Sequence, residues 1–295
     1  LGFILFKRNI DNPLQLRSLI EDLRDCMGRR CPILIDQEGG RVSRLAEPIW
    51  ERQPPAAYFG DQIGETPFLG ERDFINSLQK TAYDLSMAGI DVNCAPVLDI
   101  RFPETHEAIG DRAFANRSDL VGKCGDITCR EFLRAGITPV IKHIPGHGRA
   151  QIDSHLDLPV IETSLEDLKE TDFVPFRTLT TKDYADKIWG MTAHILLPGI
   201  DEDFPASVSR KITQDIIRGE IGFKGFLLSD DIDMKGLVNV GPDFADVDKR
   251  ALAALHAGSD AVLYCSSQLE DMRKLAEALP PLSDKSLDRL KACQT

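Results

Sequence analysis

Aromatic side chains are scarce in this chain, with two Trp and four Tyr among 295 residues. Trp50 and Trp189 are too few to form a sugar-stacking platform by themselves. Positive charge is also in short supply: 35 Lys and Arg stand against 47 Asp and Glu, for a net charge of −12. That balance excludes broad electrostatic binding to nucleic acid or to an anionic membrane, though not a small basic site for an anionic group. No apolar run reaches the ~18 residues that a membrane-spanning helix needs. No paired CxxC occurs among the seven cysteines, Cys26, Cys31, Cys94, Cys124, Cys129, Cys265 and Cys293. An odd number of thiols, mostly inside apolar stretches, points to reduced side chains in a reducing compartment, and hence to the cytoplasm. Cys124 and Cys129 stand too far from other ligands for a zinc site. Gly39-Gly40 lacks both phosphate-loop and dinucleotide spacing and is weak evidence of a phosphate loop.

No secretory leader is visible. The chain opens Leu1-Gly2-Phe3-Ile4-Leu5-Phe6, without an initiator Met and inside what reads as a buried strand. An N-terminal segment is therefore expected to be missing, and the end at Lys291-Ala292-Cys293-Gln294-Thr295 reads as cut short too. Neither a Pro/Gly/Ser linker nor a low-complexity tract divides the chain. A single domain over 1–295 follows.

What the chain does have is alternation. Apolar runs of strand length occur at 2–6, 32–36, 91–99, 137–143, 188–194, 225–231 and 261–265. Between them the pattern predicts helices at 13–27, 71–88, 118–135, 165–180, 210–221, 244–257 and 268–278. Asn12-Pro13 reads as a cap followed by a first-turn proline. Ser164 followed by Asp167 approaches a capping box. Gly89, Gly136 and Gly258 stand where helices should stop. Runs that are apolar throughout imply strands covered on both faces, hence a parallel sheet. The fold class is α/β, with a (β/α)8 TIM-type barrel expected. Seven strands are countable, and the eighth, the first of such a barrel, is expected to lie before Leu1.

Chemically able residues collect at the strand ends: Asp36, Asp99, Lys142-His143, His194 and Asp230-Asp231. In a parallel barrel those ends open on one face, where active sites are built. Any one of them could be a solvated boundary residue, but five successive ends favour an enzyme. Asp153 and His155 are two apart, so on an extended chain both side chains share a side and make a proton-transfer unit. Adjacent Asp230 and Asp231 face opposite ways on a strand, so at most one of them points into the pocket, where a carboxylate can act as nucleophile. Plainer explanations stand beside these. His143 could be a hydrogen-bonded core residue, His147 a loop stabiliser and His194 a strand cap. Asp231 leans structural, His194 leans to the pocket, and Glu38 reads as a partner for Arg41.

The ordered set Asp36-Gln37-Glu38-Gly39-Gly40-Arg41-Val42, Asp91-Val92-Asn93-Cys94-Ala95-Pro96-Val97, Gly110-Asp111-Arg112-Ala113-Phe114, Lys142-His143-Ile144-Pro145-Gly146-His147-Gly148, Asp153-Ser154-His155 and Ser229-Asp230-Asp231 resembles glycoside hydrolase family 3. Within that family it looks like the bacterial single-domain β-N-acetylglucosaminidases of peptidoglycan recycling. The resemblance runs in order from Leu1 to about residue 265. Ile144 departs from it, standing where Phe is common.

The resemblance implies a retaining mechanism through a covalent glycosyl-enzyme. Asp230 would be the nucleophile and His155, assisted by Asp153, the general acid/base. Asp36, Arg44, Arg112, Lys142 and His143 match sugar-binding positions. The implied substrate is N-acetylglucosamine β-linked to 1,6-anhydro-N-acetylmuramic acid, with or without peptide, in the cytoplasm. No metal, organic cofactor, nucleic acid or membrane is implied, and oligomeric state is not indicated. Two alternatives stay open. One is a metal-dependent barrel hydrolase with His143, His147, His155, His194 and Asp230 as ligands. The other is a non-catalytic sugar-binding barrel.

Overall fold

The structure, a computed structural model, describes residues 1 to 293. The last two residues of the expected domain span, 294 and 295, lie outside them. The strands, in chain order, are β1 (Phe3–Leu5), β2 (Ile33–Ile35), β3 (Gln37–Gly39), β4 (Val42–Ser43), β5 (Val92–Asn93), β6 (Thr138–Ile144), β7 (Trp189–Thr192), β8 (Phe226–Asp231) and β9 (Ala261–Leu263). Seven of them form one sheet in the order β1-β2-β5-β6-β7-β8-β9, and every pair in it is parallel. The remaining two, β3 and β4, make a small antiparallel hairpin just after β2.

The sheet is curled. Ile4, Leu34, Val92, Val140, Trp189, Met191, Phe226, Leu228 and Ala261 belong to one apolar cluster. A flat sheet could not bring side chains from all seven strands together, so this cluster is the barrel interior. The edge strands β1 and β9 are not paired with each other among the described residues. Arg8 bridges that seam, donating from Nη2 to the Cys265 carbonyl (2.7 Å) and to Ser267 Oγ (3.1 Å).

A second, larger apolar layer lies between the sheet and the helices, with Leu16, Ile20, Phe132, Phe173 and Phe176 almost fully buried. The helices are α1 (Pro13–Met27), α2 (Ala56–Glu65), α3 (Pro67–Ala88), α4 (Ser118–Arg134), α5 (Leu165–Glu170), α6 (Val174–Thr180), α7 (Lys235–Val238), α8 (Val247–Ala257), α9 (Leu269–Ala278) and α10 (Asp284–Ala292). The expected punctuation is present. Asn12 Oδ1 accepts from the Leu14 and Gln15 amides, and Gly28, at φ 62°, ends α1 in the left-handed region that favours glycine. Leu282 and Leu290, before and within α10, pack against the barrel interior.

Four expectations change. The helix expected at 165–180 forms as two, α5 and α6, with residues 171–173 between them. The run 91–99 pairs regularly only at Val92–Asn93, because Pro96 has no amide to give the ladder. Residues 212–220 form a π-helix rather than an α-helix, with the Ile221 amide donating to the Ile216 carbonyl. The Gly39-Gly40 turn closes the β3–β4 hairpin, which the sequence reading did not anticipate. No helix among the described residues is long and apolar enough to cross a membrane.

Candidate active site

The carboxyl ends of β2, β6, β7 and β8 bring the polar residues to one mouth of the barrel. Asp36 follows β2 directly. Its Oδ2 accepts from Arg44 Nη2 (3.0 Å) and its Oδ1 from Lys142 Nζ (3.1 Å). Lys142, on β6, is 2% exposed and also lies 2.6 Å from Glu38 Oε1. Glu38 then takes Arg112 through Nε to Oε2 (2.8 Å) and Nη2 to Oε1 (2.9 Å). Burial by itself would neutralise these groups. Mutual attraction outweighs it: Glu38 is held well below the usual carboxylate range, while Lys142 and Arg112 are pushed up. The result is a fixed, fully charged wall with donors and acceptors alternating along it, suited to sugar hydroxyls.

Behind the wall sits Asp99, fully buried. Its Oδ2 meets His143 Nδ1 at 2.7 Å, and its Oδ1 accepts from the His147 amide at 2.7 Å. Burial raises its affinity for a proton, but His143 and these contacts win and the carboxyl is displaced downward. His143 is therefore oriented by a carboxylate. His147 is buried and pushed down to about 4 by desolvation, so its ring is neutral at pH 7. Its Nε2 contacts Ser154 Oγ at 3.1 Å.

Ser154 lies in the long connection from β6 to α5, which carries Asp153 and His155. Asp153 Oδ1 meets both the His155 amide (2.9 Å) and His155 Nδ1 (2.8 Å). The His155 side chain is 67% exposed, with Nδ1 engaged by Asp153. Burial opposes ionisation of Asp153, but the two contacts from His155 displace its carboxyl downward.

Asp230 lies near the end of β8. Its Oδ1 accepts from the Asp231 amide (2.8 Å), and no ion pair engages it among the described residues. Burial disfavours its charge, yet His143, His194, that amide and Lys142 more than compensate, and the carboxyl is displaced downward. An ionised, uncommitted carboxylate is what nucleophilic attack requires. Asp231 is spent on structure: its Oδ1 accepts from the Asp233 and Cys265 amides, and burial pushes it up to about 6.

The structure thus gathers Asp36, Arg44, Arg112, Lys142 and His143 along one wall, with Asp230 within their field; Asp153 and His155 lie on the loop that follows β6. His194 behaves differently. It is fully buried, with Nδ1 2.6 Å from Ser207 Oγ and Nε2 2.9 Å from the Asp231 carbonyl, so it braces β7 against β8 and offers no surface to a ligand. Arg41 is not the partner of Glu38. It pairs with Asp111, and Glu38 holds Arg112 and Lys142. Sequence reading placed Asp99 at a strand end without a role, and His143 Nδ1 supplies that role. Nothing local could have revealed it, since 44 positions separate the two residues. The set proposed for a metal does not assemble either: among the described residues no group of three or more His, Cys, Asp or Glu side chains is placed to hold one.

A parallel (β/α) barrel that holds an ionised carboxylate and a charged, buried side-chain cluster at the carboxyl ends of its strands belongs, with the likenesses that follow, to the barrel glycoside hydrolases. Residues 1–291 match the glycosyl hydrolase family 3 N-terminal domain, and the chain belongs to that family. A beta-hexosaminidase of Methylobacillus flagellatus is 36% identical over 98% of this chain and 80% of its own length. The crystal structure of NagZ from Neisseria gonorrhoeae in complex with N-trifluoroacetyl-D-glucosamine superposes with a TM-score of 0.87 at 31% identity, over 99% of this chain and 82% of that one. A glycoside hydrolase family 3 beta-N-acetylglucosaminidase from Paenibacillus gives 0.86 at 28% identity, over 100% of this chain and 55% of its own.

Proposed function

We propose that this enzyme is a β-N-acetylhexosaminidase that removes terminal β-linked N-acetylglucosamine from cytoplasmic peptidoglycan fragments, N-acetylglucosaminyl-1,6-anhydro-N-acetylmuramic acid with or without its peptide. Asp230 attacks the anomeric carbon while His155 Nε2–H protonates the departing glycosidic oxygen, leaving a glycosyl ester on Asp230. The same imidazole, now neutral, takes a proton from water, which attacks the anomeric carbon, breaks the ester and restores the β configuration. Asp153 holds Nδ1–H throughout, fixing the tautomer and stabilising the imidazolium that donates in the first step and is regenerated in the second. Asp36, Arg44, Arg112, Lys142 and His143 bind the sugar hydroxyls. A histidine here takes the place of the second carboxylate that most glycosidases use.

The observation that carries this reading is the contrast between the two carboxylates. Asp230 is ionised and uncommitted at the barrel mouth, whereas Asp153 is committed twice to His155. The names of the relatives support the sugar, and the free thiols support a reducing compartment. Incubation with a fluorinated N-acetylglucosamine analogue that stalls the ester should add one sugar mass to the peptide containing Asp230. Label on another residue, or turnover without any trapped ester, would overturn the assignment.

A further inference from the structure

Ser154 stands between Asp153 and His155 but faces the opposite way. It is 5% exposed, beside the largely exposed His155 side chain. The hydrogen bonds inside the Asp153–His155 pair span only two positions. They orient the imidazole on its own tripeptide but cannot set where that tripeptide sits relative to Asp230. Two contacts of Ser154 can. Its hydroxyl meets His147 Nε2 at 3.1 Å, and His147 is anchored through its amide to Asp99. Its carbonyl accepts from the Gly236 amide at 2.9 Å, in α7, six residues after Asp230. The fit at Gly236 is tight, because a Cβ there would stand 2.9 Å from that same carbonyl. The other side-chain tie close by, Asn239 Nδ2 to Asp157 Oδ1 at 3.2 Å, is exposed.

We propose that Ser154 is a positioning residue: it clips the acid/base loop to the Asp99–His147 floor on one side and to the continuation of the nucleophile strand on the other, and so sets the distance between His155 and Asp230. The proposal rests on the reading of His155 as the acid/base. A loss of placement of about 1 Å at a reacting group can cost about 100-fold in rate.

The test compares kcat/KM on two substrates, 4-nitrophenyl and methyl N-acetyl-β-D-glucosaminide, for the wild type, Ser154→Ala, His147→Ala, the double variant and His155→Ala. Only the methyl glycoside needs a proton on its leaving group. Ser154→Ala is expected to lose about 10- to 100-fold on the methyl glycoside, with the 4-nitrophenyl value little changed. The double variant should be no worse than the poorer single one, because both changes break one contact. Equal losses on both substrates, no loss on either, or additive losses in the double variant would overturn the clip. If His155→Ala itself shows no leaving-group selectivity, the acid/base reading fails. If His155→Ala is selective and Ser154→Ala is not, the clip alone fails.

Discussion

Glu38 grips Arg112 through two parallel contacts of 2.8 and 2.9 Å, and the oxygen that receives the second also takes the Lys142 ammonium at 2.6 Å. One carboxylate thus neutralises two buried cations on different elements. Removing one member of a buried ion cluster leaves the others desolvated and unpaired, which typically costs about 3–5 kcal/mol. Glu38→Ala is expected to lower the unfolding free energy read from urea denaturation by that order and to raise KM, since Arg112 and Lys142 both lose a partner that orients them. A variant as stable as the parent would show that water or Asp36 replaces the lost charge.

Two buried groups pull the acid limb of stability in opposite directions. His147 drops from an ordinary 6.5 to about 4, so between those values the unfolded chain binds a proton that the folded one refuses. Stability therefore rises with pH across that window, by about 3 kcal/mol in full. Asp231 rises from 3.8 to about 6, so across that range the folded chain holds the extra proton and stability falls as pH increases. Asp231→Asn should steepen the climb in stability between pH 4 and 6, and His147→Asn should flatten it. Urea titrations at half-unit pH intervals would decide. Identical slopes in both variants would count against these displaced titrations.

Gly148 closes the turn after β6 against the Ile100 carbonyl, and a Cβ built there would stand 2.0 Å from that oxygen. Backbone cannot yield that far without moving the loop. Gly148→Ala is expected to cut kcat/KM at least about tenfold and to lower Tm. Unchanged kinetics would mean that the turn relaxes without disturbing residues 153 to 155.

Much of this was readable in the sequence, for identifiable reasons. Helix α1 was bounded correctly because Asn12, Pro13 and Gly28 each act within one turn of the chain. The barrel was legible from uninterrupted apolar runs, since burial on both faces leaves that mark. Asp36, Lys142 and Asp230 were legible as strand ends. The pairings were not. Whether Glu38 takes Arg41 or Arg112 depends on where the 110–112 turn folds back, and no periodicity encodes that. His194 reads from the sequence as leaning to the pocket, yet Ser207 and the Asp231 carbonyl consume both of its nitrogens while Asp99 engages only one of His143.

The contact between Lys142 and Asp36 spans 106 positions. No fragment that stops short of β6 can contain the Asp36–Lys142–Glu38–Arg112 cluster, and none that stops short of β8 can contain Asp230 as well. Catalytic competence should therefore switch on late and all at once during folding, trailing the growth of helix signal. A slow refolding time course, sampled for turnover, would register it as a lag.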